Sequence, residues 1–258
     1  MDIKNKLTGI LIFIALLLGV VYIILFSKIE KKMIEKIEIS GNYFLSKEEY
    51  FNFTKLNKNI NYKFLSPSII RDRFEKHPYV LRANVKYVDE NSIQINLTER
   101  KFQAILLVDS LQFLITEQFM VVPFFLFTKN MVLPVIENPL LTKKIRCFDI
   151  VRTPETKAAF RIIDASKIIS TDIYSNLTDI DLRQGKDIVL RFRGYDFQVI
   201  FGRNGEVEKL MSFEKVWNHI HNQKENPGQF INYVDLRYEK LIYVGMDSQV
   251  SEVKGTKG

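Results

Sequence analysis

The sequence is poor in the residues that build metal and redox chemistry. It has one cysteine, Cys147, and three histidines among 258 residues. A single thiol permits neither an internal disulfide nor a cysteine-based metal site, and the simplest expectation for it is a small buried hydrophobe. His219 and His221 stand two apart on a predicted helix, about 200° around its axis, so they cannot face one metal; the usual histidine pair is four apart. His77 precedes a proline at a predicted helix end. The histidines are expected to be surface or satisfied residues, with no metal and no cofactor. Long runs of one charge are also missing. The net charge is +7, but 37 basic residues are interspersed with 30 acidic ones, which argues against a nucleic-acid footprint. Neither G-x-S-x-G nor H-E-x-x-H occurs. Phe201-Gly202-Arg203-Asn204-Gly205 lacks the Lys-Ser/Thr of a P-loop and the spacing of G-x-G-x-x-G, and reads as a strand-to-helix turn. Asp179 and Asp181, two apart on a predicted strand, read as a solvated edge. No acid–base pair is recruited, so neither catalysis nor a small-molecule substrate is expected.

What the sequence does have is a long uncharged run. Leu7 to Phe26 is 20 residues without a charge. As a helix it would span about 30 Å, the hydrocarbon thickness of a bilayer. It is too long for a signal-peptide core, and no A-x-A-like site follows it. It reads as an uncleaved anchor. Lys4 and Lys6 precede it, while Lys28, Lys31, Lys32 and Lys36 follow. That count alone would place the C-terminal side in the cytoplasm, but the rule weakens before a long domain.

Behind a charged stalk over 27–32, residues 33–100 read β-α-α-β-β. Ile37 and Ile39 alternate with Lys36 and Glu38 until Gly41-Asn42 breaks the strand. Ser46 with Glu49 is a capping-box signature for a helix to about Lys55. Ser66-Pro67 opens a second helix with Ile69, Ile70 and Phe74 on one face, ending before His77-Pro78. Ala83, Val85 and Tyr87, then Ile93, Ile95 and Leu97, alternate on either side of the Asp89–Ser92 turn as a hairpin. The result is a two-layer α+β module. Residues 101–245 read as a strand-rich mixed sheet with two helices. Strands are predicted over Phe102 to Val108, Leu111 to Val122, Leu177 to Leu182, Ile188 to Phe192 and Tyr195 to Phe201. Leu133-Pro134-Val135 and Asn138-Pro139 mark a loop. The helices run from Pro154 to Ile169 and from about Val207 to His221. Residues 246–258 are polar and aperiodic, and read as a flexible tail.

The last apolar stretch, Phe230 to Gly245, raises its own question. Val234, Leu236 and Tyr238 fall on one side and Tyr233, Asp235 and Arg237 on the other. Leu241, Ile242, Tyr243 and Val244 are apolar on both sides. A chain-terminal strand is a natural edge, and edges are usually blunted.

The order of these features resembles the FtsQ/DivIB family of bacterial division proteins. The module from Lys36-Ile37-Glu38-Ile39-Ser40-Gly41-Asn42 to Asn96-Leu97-Thr98-Glu99-Arg100-Lys101 resembles a POTRA domain. His77-Pro78-Tyr79-Val80-Leu81-Arg82-Ala83-Asn84-Val85 fits the family's second signature there. Leu133-Pro134, Phe201-Gly202-Arg203 with its following helix, and Val234-Asp235-Leu236-Arg237-Tyr238 resemble elements of its β domain. Glu239-Lys240-Leu241 stands where the family often has a Pro/Asn-Gly turn, and Asp109-Ser110-Leu111 lacks the usual glycine. The resemblance implies a non-catalytic, single-pass scaffold of the division septum. Its N-terminus would be cytoplasmic and its domains periplasmic or extracellular, with FtsB- and FtsL-like partners. It also implies that a partner strand adds to the edge of the last strand. The residues expected at that contact are Tyr233, Asp235, Arg237, Tyr238, Leu241, Ile242, Tyr243 and Val244, with a basic contribution from Lys186. Arg237 would pair with a partner carboxylate, and the tyrosines would supply area. The competing role for Val234, Leu236 and Val244 is core filling, and for Asp235 with Arg237 an intrachain ion pair. Two other functions remain in play. One is a POTRA-bearing chaperone or assembly component, although the roughly 150 residues after the module lack the strands of a membrane barrel. The other is a membrane-tethered protein that binds or cleaves cell wall.

Overall fold

The computed structural model describes residues 3–26, 34–56, 65–222, 230–238 and 241–246. The stalk expected over 27–32 and the tail after Met246 lie outside these residues.

Helix α1 (Ile3–Phe26) is continuous over 24 residues. Its side chains are described over residues 11–22, and all twelve positions are exposed. Among the described residues no helix is long and apolar enough to cross a membrane. Twelve residues rise only about 18 Å, against roughly 30 Å of hydrocarbon.

The module that follows forms from local signals. β1 (Lys36–Ser40) stops at Gly41, whose φ is +78° and where a Cβ would sit 2.1 Å from the Leu97 carbonyl oxygen; only glycine fits there. In α2 (Lys47–Thr54) the Ser46 hydroxyl accepts from the Glu49 N–H at 3.2 Å. In α3 (Pro67–Glu75) the Ser66 hydroxyl accepts from the Ile69 N–H at 3.4 Å, with proline in the first turn. β2 (Val80–Tyr87) and β3 (Ser92–Glu99) form the antiparallel hairpin, and β1 joins β3 in parallel, giving the order β1-β3-β2. The two helices bury Tyr50, Ile70 and Phe74 against Ile39, Ala83, Ile93, Ile95 and Leu97.

The rest of the chain builds one nine-stranded sheet. Its strands are β4 (Phe102–Val108), β5 (Leu111–Thr116), β6 (Val121–Pro123), β7 (Val135–Glu137), β8 (Leu177–Asp181), β9 (Ile188–Phe192), β10 (Gln198–Gly202), β11 (Ile231–Asp235) and β12 (Tyr243–Met246). Their order is β12-β11-β10-β9-β8-β7-β4-β5-β6. Helices α4 (Pro154–Ile169), α5 (Thr171–Asn176) and α6 (Glu206–Asn222) complete it. Ile162, Ile163, Leu210, Phe213 and Trp217 from the helices share a core with Leu190, Phe192, Val199, Phe201 and Val234 from the sheet.

Several sequence expectations change here. Residues 111–122 are two strands rather than one, because Phe119 takes φ +65° and its N–H closes on the Thr116 carbonyl at 2.8 Å. The predicted loop over 133–139 contains β7, a central strand paired in parallel with both β4 and β8. Three helices accompany the sheet instead of two. Asp181 is not on a solvated edge: β8 is interior, and this carboxylate, 6% exposed, accepts from Asn138 Nδ2 at 2.9 Å and from the Arg183 N–H at 3.0 Å. Cys147 is exposed rather than buried, because it lies on the surface segment leading to α4.

The two margins of the large sheet differ. At β6 the chain covers its own edge: the Val121 N–H donates to the Asp149 carbonyl at 2.9 Å, and the Phe148 N–H to the Val121 carbonyl at 2.6 Å. At the other end lies β12, with no strand outside it among the described residues.

Candidate functional site

The stretch from Phe230 to Gly245 is a hairpin-like pair rather than one edge strand. β11 pairs in parallel with β10 and antiparallel with β12, so its backbone is engaged along both sides. Among the described residues the terminal strand of the sheet is β12, and this corrects the expectation that the strand carrying Val234 to Arg237 is itself the edge.

The pairing assigns the side chains to faces. Directly opposed residues share a face and successive residues alternate. Val234 is opposite Val244, while Asp235 is opposite Tyr243 and Tyr233 is opposite Gly245. Val234 is 0% exposed and Leu236 2%, both in the core with α6; their role is core filling. Val244 lies over the same face at the rim and is 38% exposed.

On the opposite face the Tyr233 ring lies against Gly245. A Cβ at Gly245 would meet Tyr233 Cε1 at 2.3 Å. The rings of Tyr238 and Tyr243 meet edge to face at 5.1 Å. Tyr233, Tyr238, Leu241 and Tyr243 all remain exposed, and Ile242 packs partly against the core. The edge therefore presents aromatic area already ordered by its own neighbours, at low entropy cost for binding.

Arg237 is held within the chain. Its Nε and Nη2 donate to the Asp235 carboxylate at 3.0 and 2.6 Å, and Nη1 donates to Asp187 at 3.1 Å. This fork holds the Asp235 carboxyl below the usual carboxylate range, and the two carboxylates raise the guanidinium further. The intrachain pair considered from the sequence is thus the arrangement present. Gly202, at φ +70°, makes room for it: a Cβ there would sit 2.8 Å from Arg237 Cγ. The guanidinium also stands 5.9 Å over the Tyr238 ring, linking the ion pairs to the aromatic edge.

Beside this edge a cleft of about 920 Å³ opens between the first half of α6 and the β11–β12 connection. Arg203, Lys209 and Lys215 line it together with Leu236, Leu241 and Ile242. Lys209 Nζ donates to the Phe201 and Arg203 carbonyls at 2.9 and 3.0 Å, and burial lowers its pKa. Lys186 is exposed just before β9, at the same end of the sheet as Arg237, and its carbonyl accepts from Arg203 Nε at 2.8 Å. The structure thus gathers Asp235, Arg237, Tyr238 and Tyr243 into one contact chain and leaves Lys186 nearby on the sheet end.

Sequence reasoning missed Asp187, Gly202 and Gly245 in this site. Asp187 lies fifty positions from Arg237, and no local pattern announces such a pairing. The glycines carried a signal, since each sits where a neighbouring strand brings a bulky side chain.

Residues 32–100 match the family model of the POTRA domain, FtsQ-type. This is the β-α-α-β-β module described above, and it supports assignment to the FtsQ/DivIB family. The match covers 69 of the 258 residues. No curated protein matches the chain.

Proposed function

We propose that this chain, from its FtsQ-type POTRA domain, is a non-catalytic bitopic scaffold of the bacterial division machinery. Residues 7–26 anchor it in the plasma membrane, with the N-terminus in the cytoplasm and the folded body on the other side. It captures FtsB- and FtsL-like membrane partners by adding a partner strand to β12. The observation that carries this reading is the asymmetry of the nine-stranded sheet: its β6 margin is covered by the chain at Val121, whereas among the described residues no strand lies outside β12. An open margin offers main-chain donors and acceptors for strand addition. Tyr233, Tyr238, Tyr243 and Val244 supply the contact area, and Leu241 with Ile242 continues it into the basic cleft. Arg237 and Asp235 act mainly by holding the end of β11 in place. Lys186 provides a positive charge at the same end of the sheet.

The test is co-purification of the full chain from cross-linked membranes. The wild type is expected to bring down small single-pass division proteins, and Tyr243→Lys or Ile242→Pro to lose them while the body stays folded. Retention of those partners by both variants would refute capture at β12. Peptidoglycan cleavage by the purified chain, abolished by a single carboxylate change, would refute the non-catalytic reading.

A further inference from the structure

Between β6 and β7 the chain does not take the direct path. Residues 124–133 double back onto the POTRA module. The Phe125 N–H donates to the Tyr79 hydroxyl at 3.1 Å, and that hydroxyl also pairs with Thr128 Oγ1 at 2.8 Å. The Thr128 N–H and hydroxyl both close on the Phe125 carbonyl, at 3.0 and 2.7 Å, so the turn is tied to itself. Further along, the Lys129 N–H donates to the Phe44 carbonyl at 2.8 Å and Asn130 Nδ2 to the Tyr43 carbonyl at 3.0 Å. The Phe125 ring lies 5.1 Å from Tyr79 and 5.6 Å from His77.

Modules joined by a short connection move relative to one another unless the contact between them is large and hydrophobic. Here the contact is part of a core. Phe102, Leu114 and Val122 of the large sheet are buried in the same cluster as Ile39, Tyr79 and Ile95 of the POTRA module. The hydrogen bonds from Phe125, Lys129 and Asn130 add direction to that non-directional contact, because each engages a backbone group across the junction.

We propose that residues 124–133 are a strap that fastens the POTRA module to the nine-stranded sheet as one rigid body, with Phe125 as its pin. A displacement imposed on either module is then carried to the other, including to β12. This rests on the junction alone and is independent of which partner β12 takes.

The exposed Cys147 provides a spin-label site on the sheet side of the junction, and Lys86→Cys, at an exposed position of β2, provides one on the POTRA side. Distances between the two labels are measured by pulsed electron resonance on the full chain in detergent. The strap requires one narrow population. Phe125→Ala is expected to broaden it roughly twofold or more, toward the freedom of separately moving modules. Asn130→Gly, which keeps the φ of +54° accessible and removes only the bond to Tyr43, is expected to broaden it less. Folding of each variant is checked by amide exchange in β3 and β9, an interior strand of each sheet. A broad wild-type distribution overturns the proposal, and so does a folded Phe125→Ala with unchanged width. If Phe125→Ala does not fold, the wild-type width and an unchanged or broadened Asn130→Gly decide the matter.

Discussion

At His77 the imidazole is 2% exposed, with the Tyr50 and Phe53 rings 4.7 and 4.4 Å away. Its Nδ1 accepts from the Tyr79 N–H at 3.1 Å, so the neutral ring with its proton on Nε2 is the form that fits. Burial lowers its pKa from the ordinary 6.5 to about 4. Between those two values the unfolded chain takes up a proton that the folded chain resists. Stability is therefore complete above about pH 6.5, declines as pH falls toward 4, and changes no further from this group below that. The loss approaches ~3 kcal/mol over the window. His77→Asn keeps an acceptor near the same place and does not titrate. Chemical denaturation at pH 7 and pH 4.5 is expected to show a smaller loss for the variant than for the wild type. Asp235 works in a different window. Its carboxyl is held low by Arg237, so its contribution is present above about the ordinary carboxylate value and is lost only as pH falls further. Carbon-detected titration of Asp235 is expected to move upward in Arg237→Ala, which removes the pairing guanidinium, whereas Asp187→Asn, which removes a competing carboxylate and leaves the fork to Asp235 in place, is expected not to raise it. Titration of Asp235 unchanged in Arg237→Ala would mean that the fork does not form in solution.

At the scale of elements, α4 starts with a reciprocal cap. Thr153 Oγ1 accepts from the Thr156 N–H at 3.1 Å, and Thr156 Oγ1 accepts from the Thr153 N–H at 3.0 Å. The Thr156 hydroxyl, 0% exposed, also donates to the Val151 carbonyl at 2.6 Å. Thr153→Ala is expected to cost about 1 kcal/mol. Thr156→Val, which leaves the buried Val151 carbonyl and the Thr153 N–H without this partner, is expected to cost more, on the order of 1–3 kcal/mol. Denaturant midpoints read both, and the reverse ranking would mean that the buried hydroxyl contributes less than the cap. Elements with local signals of this kind were legible in the sequence: α2 and α3 from their serine caps, α4 and α6 from their spacing, β2–β3 from strict alternation. β7 was not. It is three residues long, it lies between prolines that mark loops, and its parallel partners are distant in sequence. The break between β5 and β6 was hidden because a phenylalanine, not a glycine, takes the left-handed angle. The end of the chain was misread as one edge strand for a related reason. Leu241 to Val244 is apolar on both sides, so alternation gave no sign that the chain reverses and returns as β12.

At the scale of the whole molecule, the presence of a POTRA module was legible, because its turns and caps are local, and residues 32–100 match the FtsQ-type POTRA model. The surplus of aromatic residues in the last stretch was legible, although the reversal that makes β12 the terminal strand among the described residues was not. What remains is the membrane placement proposed above. The described side chains of α1 are uncharged from Leu11 to Tyr22, and Leu11, Phe13, Leu16 and Leu18 are each more than 60% exposed. Contiguous exposed apolar side chains of this kind mark interaction sites in soluble proteins, and on the proposed placement they face lipid. The sequence on either side extends the uncharged run to Leu7 and Phe26, long enough for a bilayer core. The full chain is therefore expected to stay with membranes through an alkaline carbonate wash and to be released only by detergent. A chain lacking residues 1–26 is expected in the soluble fraction, with the amide-exchange protection of β3 and β9 unchanged. Release of the full chain by carbonate would show that α1 is covered by protein rather than lipid, and the placement of the scaffold across the membrane would fall with it.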